Sequence, residues 1–151
     1  MDTHTLDTPI SALLEMGPMY HRLILNKLEL NKADLGSLHI TKSRFFILLA
    51  LMGNDTLNMT QLSSYIASSK EQATRAVAPL VEAGYVHRFH DETNRKLVLI
   101  QLTPAGKTFL RQTKQQLQEA LEKKFEGLTE EDRQELVQSL HNILRILKKI
   151  Q

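Results

Sequence analysis

The chain has 151 residues, 42% of them hydrophobic, which is enough for one folded domain and too apolar for a disordered chain. It contains no cysteine, which excludes disulfides, thiolate catalysis, cysteine redox sensing and thiolate-ligated zinc or iron–sulfur centres. Lys and Arg exceed Asp and Glu by only 19 to 17, and residues 54–103 carry five of each sign, so any basic face has to come from placement rather than from net charge.

From the N-terminus, Leu6 to Leu14 is too short and interrupted to span a membrane, and no charged start followed by an apolar run marks a secretory signal; a cytoplasmic location is expected. Asp7-Thr8-Pro9 reads as a helix start, a capping side chain ahead of a proline at the first helical position, with Ile10, Leu13 and Leu14 at helical spacing. Gly17-Pro18 predicts a break or kink, because proline lacks a donor and clashes one turn back. Met19, Leu23, Ile24 and Leu28 continue beyond it. Thr41 caps the next helix, whose face is marked by Phe45, Leu48, Leu49 and Met52, and Gly53-Asn54-Asp55 ends it. Met16, Met19 and Met52 read as core filler.

Asn58 with Gln61, and Ser69 with Gln72, have capping-box spacing, so two helix starts stand eleven residues apart. Leu62, Tyr65 and Ile66 mark one face of the first; Ala73, Ala76, Val77, Leu80 and Val81 continue the second until Gly84 closes it. Val86–Phe89 and Leu97–Leu102 are rich in strand formers and flank the polar loop His90 to Lys96, as in a hairpin. Thr103-Pro104 opens a helix with Phe109, Leu117, Leu121 and Phe125. After Gly127, Thr129 and the acidic run Glu130-Glu131-Asp132 open the last helix, suiting its positive end. Leu136, Leu140, Ile143, Leu144, Leu147 and Ile150 form a stripe to the end of the chain. Packing within the chain would use some of that face; its length points to a homodimer seam.

Helix, turn, capped helix, Gly-Tyr-Val exit and basic hairpin tip, in that order, resemble the MarR family (multiple antibiotic resistance regulators), homodimeric winged-helix transcription regulators. The resemblance is carried by Leu57 to Gly106: Thr74-Arg75, Leu80-x-x-x-Gly84-Tyr-Val, Arg88, Asn94-Arg95-Lys96 and Leu102-Thr103-x-x-Gly106. It implies a mainly α fold with a small β-hairpin wing, a winged helix-turn-helix flanked by N- and C-terminal dimerisation helices. In a single domain over 1–151, residues 1–36 and 104–151 would form the dimerisation helices and 37–103 the DNA-binding part. Two departures stand out. The family wing usually has Asp directly before its Arg, where this chain has Asn94, with Asp91 as a possible substitute. Pro79 falls inside the recognition helix, where it should bend the last turn.

A recognition helix offers its first turns to a major groove, which singles out Lys70, Glu71, Thr74 and Arg75; a solvated helix face is the plain alternative. Arg75 has the geometry to take a guanine by two hydrogen bonds, worth ~1–3 kcal/mol of discrimination. Arg95 at the hairpin tip suits a narrow minor groove, with Lys96 and Arg88 as phosphate partners. Thr60, Ser68 and Ser69 offer hydroxyls to phosphates, although capping alone accounts for Ser69. The resemblance also implies a crevice for a small aromatic or anionic effector, for which Tyr20, His21, His39 and Arg44 are candidates beside ordinary packing.

His87 and His90 invite a metal reading, but strand alternation places them on opposite faces. No cofactor is implied, and no nucleophile elbow, phosphate-binding glycine loop or paired carboxylates suggest an enzyme. The expected function is a homodimeric DNA-binding regulator, a repressor on an inverted-repeat operator released by a small effector. The alternatives are a winged-helix protein-interaction module without DNA binding, for which the neutral 54–103 segment speaks, and a metal-responsive regulator.

Overall fold

The structure, a computed structural model, describes residues 9–25 and 40–150. The cap expected at Asp7-Thr8, and the candidates Leu28 and His39, lie outside the described residues. The chain divides into two compact units, residues 1–115 and 116–151.

In the first unit, α1 (Pro9–Tyr20) runs through Gly17 and Pro18 without the expected break and continues as one wide, π-helical turn over His21–Leu25. A proline removes one donor and crowds one carbonyl; the helix accommodates both here, and its irregularity falls just downstream. No described residue of α1 is buried, and Ile10, Leu14 and Met19 are exposed.

The core of this unit is built around α2 (Lys42–Met52), capped by Thr41, whose hydroxyl oxygen accepts from the Arg44 amide at 3.3 Å. Phe45, Ile47, Leu48, Ala50 and Leu51 are buried. Met52 is 61% exposed, which overturns its assignment to the core, as exposure of Met16 and Met19 does for theirs. Every residue from Phe45 to Met52 is apolar, so spacing alone cannot select the buried face.

Then come β1 (Leu57–Asn58), α3 (Met59–Tyr65), α4 (Lys70–Glu82), β2 (Val86–His90), β3 (Val98–Leu102) and α5 (Pro104–Phe125). The strands form an antiparallel sheet in the order β1-β3-β2, with Leu57 and Arg88 both opposite Ile100 and Val86 opposite Leu102. The hairpin expectation holds, with β1 added on its open edge. Leu62, Val77, Leu80 and Ile100 are fully buried beneath this sheet and its helices, and each such side chain contributes about 1.5–3 kcal/mol of burial. Tyr65, expected on the core side of α3, is instead 46% exposed, with its hydroxyl oxygen accepting from Asn54 at 3.3 Å.

Both capping boxes form as expected: Asn58 and Gln61 exchange bonds of 2.9 Å, and Ser69 and Gln72 bonds of 3.2 Å. Gly84, at φ 76°, ends α4 in a left-handed turn in which its amide reaches Val81 O and that of Tyr85 reaches Leu80 O, both at 3.0 Å. Pro79 does not stop α4; its own carbonyl accepts from Ala83 at 3.0 Å, so the ladder resumes within one turn.

The exit from α4 is fastened to the start of α5. The Tyr85 carbonyl accepts from the Thr103 amide at 3.1 Å, the Thr103 hydroxyl donates to Gly84 O and accepts from the Gly106 amide, and the Tyr85 ring stacks on Phe109 at 4.6 Å. A Cβ at Gly106 would overlap the Tyr85 carbonyl, so only glycine allows this approach.

In the second unit, Thr129 caps α6 (Glu130–Leu147) by accepting from the Asp132 amide at 3.1 Å. Arg133 donates to Phe125 O at 2.8 Å, a cation on the carbonyl end of α5 that the helix dipole favours. No residue of α6 is buried; Leu136, Leu140 and Leu144 of the expected stripe are all exposed.

Candidate nucleic-acid interface

Helices α3 and α4 are joined by a tight turn over Ile66–Ser69. The amides of Ala67 and Ser68 reach Ser64 O and Ser63 O at 3.2 and 3.0 Å, and Ala67 sits at φ 49°. The left-handed region disfavours a residue with a Cβ, so this turn carries some strain at the helix crossing. From it α4 emerges with Ala73, Val77 and Leu80 buried, which turns Glu71, Thr74, Arg75 and Ala78 outward.

A cleft of about 220 Å³ separates the start of α3, the start of α4 and the base of the wing loop. Thr60, Lys70, Thr74 and Lys96 line it together with Asn58, Met59, Leu97 and Val98. Four residues singled out from sequence as DNA contacts thus converge from three elements. The Thr74 hydroxyl donates to Lys70 O at 2.9 Å, which commits its proton and leaves the oxygen as an acceptor.

The other candidates are dispersed around this cleft. Arg75 is exposed one turn after Glu71, Arg88 is exposed in β2, and Arg95 is exposed in the wing loop. Ser69 is occupied by its cap, as its spacing suggested, and Ser68 is half-buried, its amide fixed to Ser63 O.

Placement also qualifies the neutral charge count. Two of the five basic residues of the segment meet in one cleft, whereas Glu82 ends α4, about 18 Å along the helix from Lys70. Asp91 and Glu92 lie in the wing loop, and Glu71 stands beside Lys70 in the first turn of α4. The Glu71 carboxyl is held below the usual carboxylate range by its own backbone amide and the Ser69 side chain, with smaller help from Lys70 and Arg75, so it stays charged on the outward face.

The wing loop is ordered by side chains of its own. Asp91 Oδ1 accepts from the Thr93 hydroxyl at 2.6 Å and from the amides of Thr93 and Asn94 at 2.7 and 3.0 Å. Asn94 Oδ1 accepts from the Lys96 amide at 3.3 Å, and its carbonyl accepts from Leu97 at 2.9 Å. His90 Nδ1 lies 2.8 Å from Arg95 O. The Thr93 and Asn94 donors hold the Asp91 carboxyl below its ordinary value. Its contribution to loop order is therefore complete at neutral pH and is lost only as pH falls through that lowered value.

On the solvent face of the hairpin His87 stacks on Phe89 at 5.3 Å, and among the described residues no three histidines and carboxylates come together as a metal site. Of the effector candidates, Tyr20 packs 6.5 Å from Phe46, and burial raises its hydroxyl above the usual range. His21 Nε2 accepts from Lys42 Nζ at 2.7 Å, and Arg44 is half-buried in the first turn of α2. Tyr20 and His21 thus meet the start of α2; neither Phe46 nor Lys42 was signalled by spacing.

Residues 40–98, covering α2, the helix-turn-helix and most of the wing, match the family model described as MarR family. In this segment the chain is similar to the MarR family. Among its relatives, an uncharacterized HTH-type transcriptional regulator of Bacillus subtilis, YhjH, is 30% identical over 82 residues, covering 52% of this chain and 47% of that protein. The transcriptional repressor MprA of Escherichia coli is 25% identical over 135 residues, 88% of this chain and 74% of that protein. The crystal structure of the transcriptional regulator BldR from Sulfolobus solfataricus shares the fold, with a TM-score of 0.68 at 21% identity over 96% of this chain and 99% of that one. These relatives are all transcriptional regulators by name.

Proposed function

We propose that this chain is a MarR-family regulator, a homodimeric, cytoplasmic repressor that binds an inverted-repeat operator and is released by a small effector. The observation that carries the DNA part is the convergence of Thr60, Lys70, Thr74 and Lys96 on one cleft between recognition helix and wing. The two lysine cations and the Thr60 hydroxyl at the mouth of such a cleft suit a backbone phosphate, and a phosphate held there sets the register in which Glu71, Thr74 and Arg75 meet base edges. Arg95 then reaches the flanking minor groove, with Arg88 on the backbone. Residues 37–103 supply this reading part.

Homodimerisation through residues 1–36 and 104–151 is supported by apolar side chains exposed along α1 and α6, including Leu14, Leu140 and Leu144. A two-fold dimer matches the symmetry of an inverted repeat. Repression is the role of the E. coli relative MprA, a transcriptional repressor. Tyr20, His21, His39 and Arg44 remain the proposed effector contacts. An effector there would act by favouring a geometry in which the two recognition helices no longer match the half-sites, which requires differential affinity for the two states.

The test is binding of genomic promoter fragments, titrated over salt, by the wild type and by Arg75→Ala and Arg95→Ala. Each substitution should weaken specific binding, Arg75→Ala by ~1–3 kcal/mol with relaxed base choice, and both should reduce the salt slope. Equal, salt-insensitive binding by all three proteins would sink the reading in favour of a protein-interaction module.

A further inference from the structure

The wing tip combines two features whose connection the family pattern does not supply. The family pairs an Asp with the wing arginine; position 94 here is Asn, whose side chain is turned onto the Lys96 amide. Yet the backbone on either side of Arg95 is tied down. Asp91 gathers Thr93 and Asn94 on the N-terminal side through one oxygen. On the C-terminal side, the Asp91 amide donates to Leu97 O at 3.0 Å. The carbonyl of Arg95 itself is met by His90 Nδ1 at 2.8 Å. A carbonyl only accepts, so Nδ1 carries the proton in this contact, as the Nδ1–H tautomer or the imidazolium.

We infer that His90 and Asp91 are positioning residues for Arg95: they hold the tip of the wing in the shape it needs at the DNA, and discrimination between operator flanks depends on them. The inference rests on the DNA-binding reading above. Its physical basis is the cost of ordering. A seven-residue polar loop, Asp91 to Leu97, would otherwise lose backbone freedom on insertion, and a loop already closed by its own hydrogen bonds has less to lose. A narrow A·T-rich minor groove concentrates negative potential along a thin line, so the benefit goes to a guanidinium presented from a fixed backbone. A G·C-rich flank with a wider groove gains less from the same placement. Neither His90 nor Asp91 has to touch DNA for this to hold.

The experiment is a double-mutant cycle on the full-length protein, measured on two otherwise identical operators, one with A·T-rich and one with G·C-rich flanks. Asp91→Ala and His90→Ala should each lower affinity for the A·T-flanked operator by about fivefold to tenfold and leave the G·C-flanked one within about twofold. In an Arg95→Ala background the same changes should have no further effect, because the side chain they position is gone. Asp91→Asn, which keeps an acceptor for the two amides, and His90→Asn, which places an amide N–H near the position of Nδ1, should restore most of the preference. Full additivity with Arg95→Ala, or an equal loss on both operators, would overturn the inference while leaving the DNA-binding reading intact. Failure of the wild type to select any DNA would overturn both.

Discussion

The reading part and the terminal helices are held together in opposite ways. From Leu57 to Gly106, cap answers cap, the wing loop is closed by Asp91, Asn94 and His90, and the Leu62, Val77, Leu80 and Ile100 side chains are fully buried. Helices α1 and α6 have ordered caps or turns but bury no described side chain, and α6 leaves Leu144 55% exposed. The first region completes its contacts within one chain. The second has amphipathic faces that the described residues leave open, which suits the subunit interface proposed above.

Three experiments would break or sharpen this contrast. The largest effect is expected from Leu140→Glu combined with Leu144→Glu on α6. Both positions are exposed in the single chain, so the fold should survive while sedimentation shows monomers. Affinity for a two-half-site operator should drop by roughly 100-fold or more as the two reading parts are unlinked. A persistent dimer would place the seam elsewhere. Next comes Gly106→Ala, whose new methyl group would collide with the Tyr85 carbonyl. It should cost about 2–3 kcal/mol in denaturant melts, whereas Gly127→Ala, with nothing near the new carbon, should stay within about 0.5 kcal/mol. Equal costs would show that the α4 exit and the α5 start are less tightly fastened than their bonds indicate. The smallest effect is Ala67→Gly at the φ 49° turn. Relief of the left-handed strain, partly offset by a more flexible unfolded chain, should stabilise by about 0.5 kcal/mol with operator affinity unchanged. A lower melting temperature would mean that the turn holds no strain to release.

What could be read in advance divides along the same physical line. Local signals were legible: Asn58 with Gln61, Ser69 with Gln72, Thr41, Thr129 and Gly84 each act within a few residues, and each sits where its spacing placed it. Signals that depend on what packs where were not. In α2 an unbroken apolar run hides which side faces the core, so Met52 is misplaced, and Tyr65 is misplaced because it is the last residue of the seven-residue α3, with no further turn to define a face. The two-residue strand Leu57–Asn58 is too short to carry a period and exists only because β3 offers an open edge. The candidate DNA residues were recognisable by type and by resemblance. That Thr60 and Lys96, thirty-six positions apart, line one cleft is a property of the fold alone. The bracing of the wing lay between these cases: Asp91 was visible as a stand-in for the missing acid, but its targets turned out to be the Thr93 and Asn94 amides.

One atom in the molecule has no side chain to represent it. The carbonyl oxygen of Tyr85 receives the Thr103 amide and sets the limit on what residue 106 can carry. Substitution at position 85 cannot remove it, since every amino acid brings the same oxygen. Natural variation can therefore register its importance only indirectly, as intolerance at Gly106 and restricted choice at Thr103. A survey of variants would find those two positions changing together or not at all, while the aromatic ring at 85 drifted more freely, and the pattern would trace an oxygen that no mutation can delete.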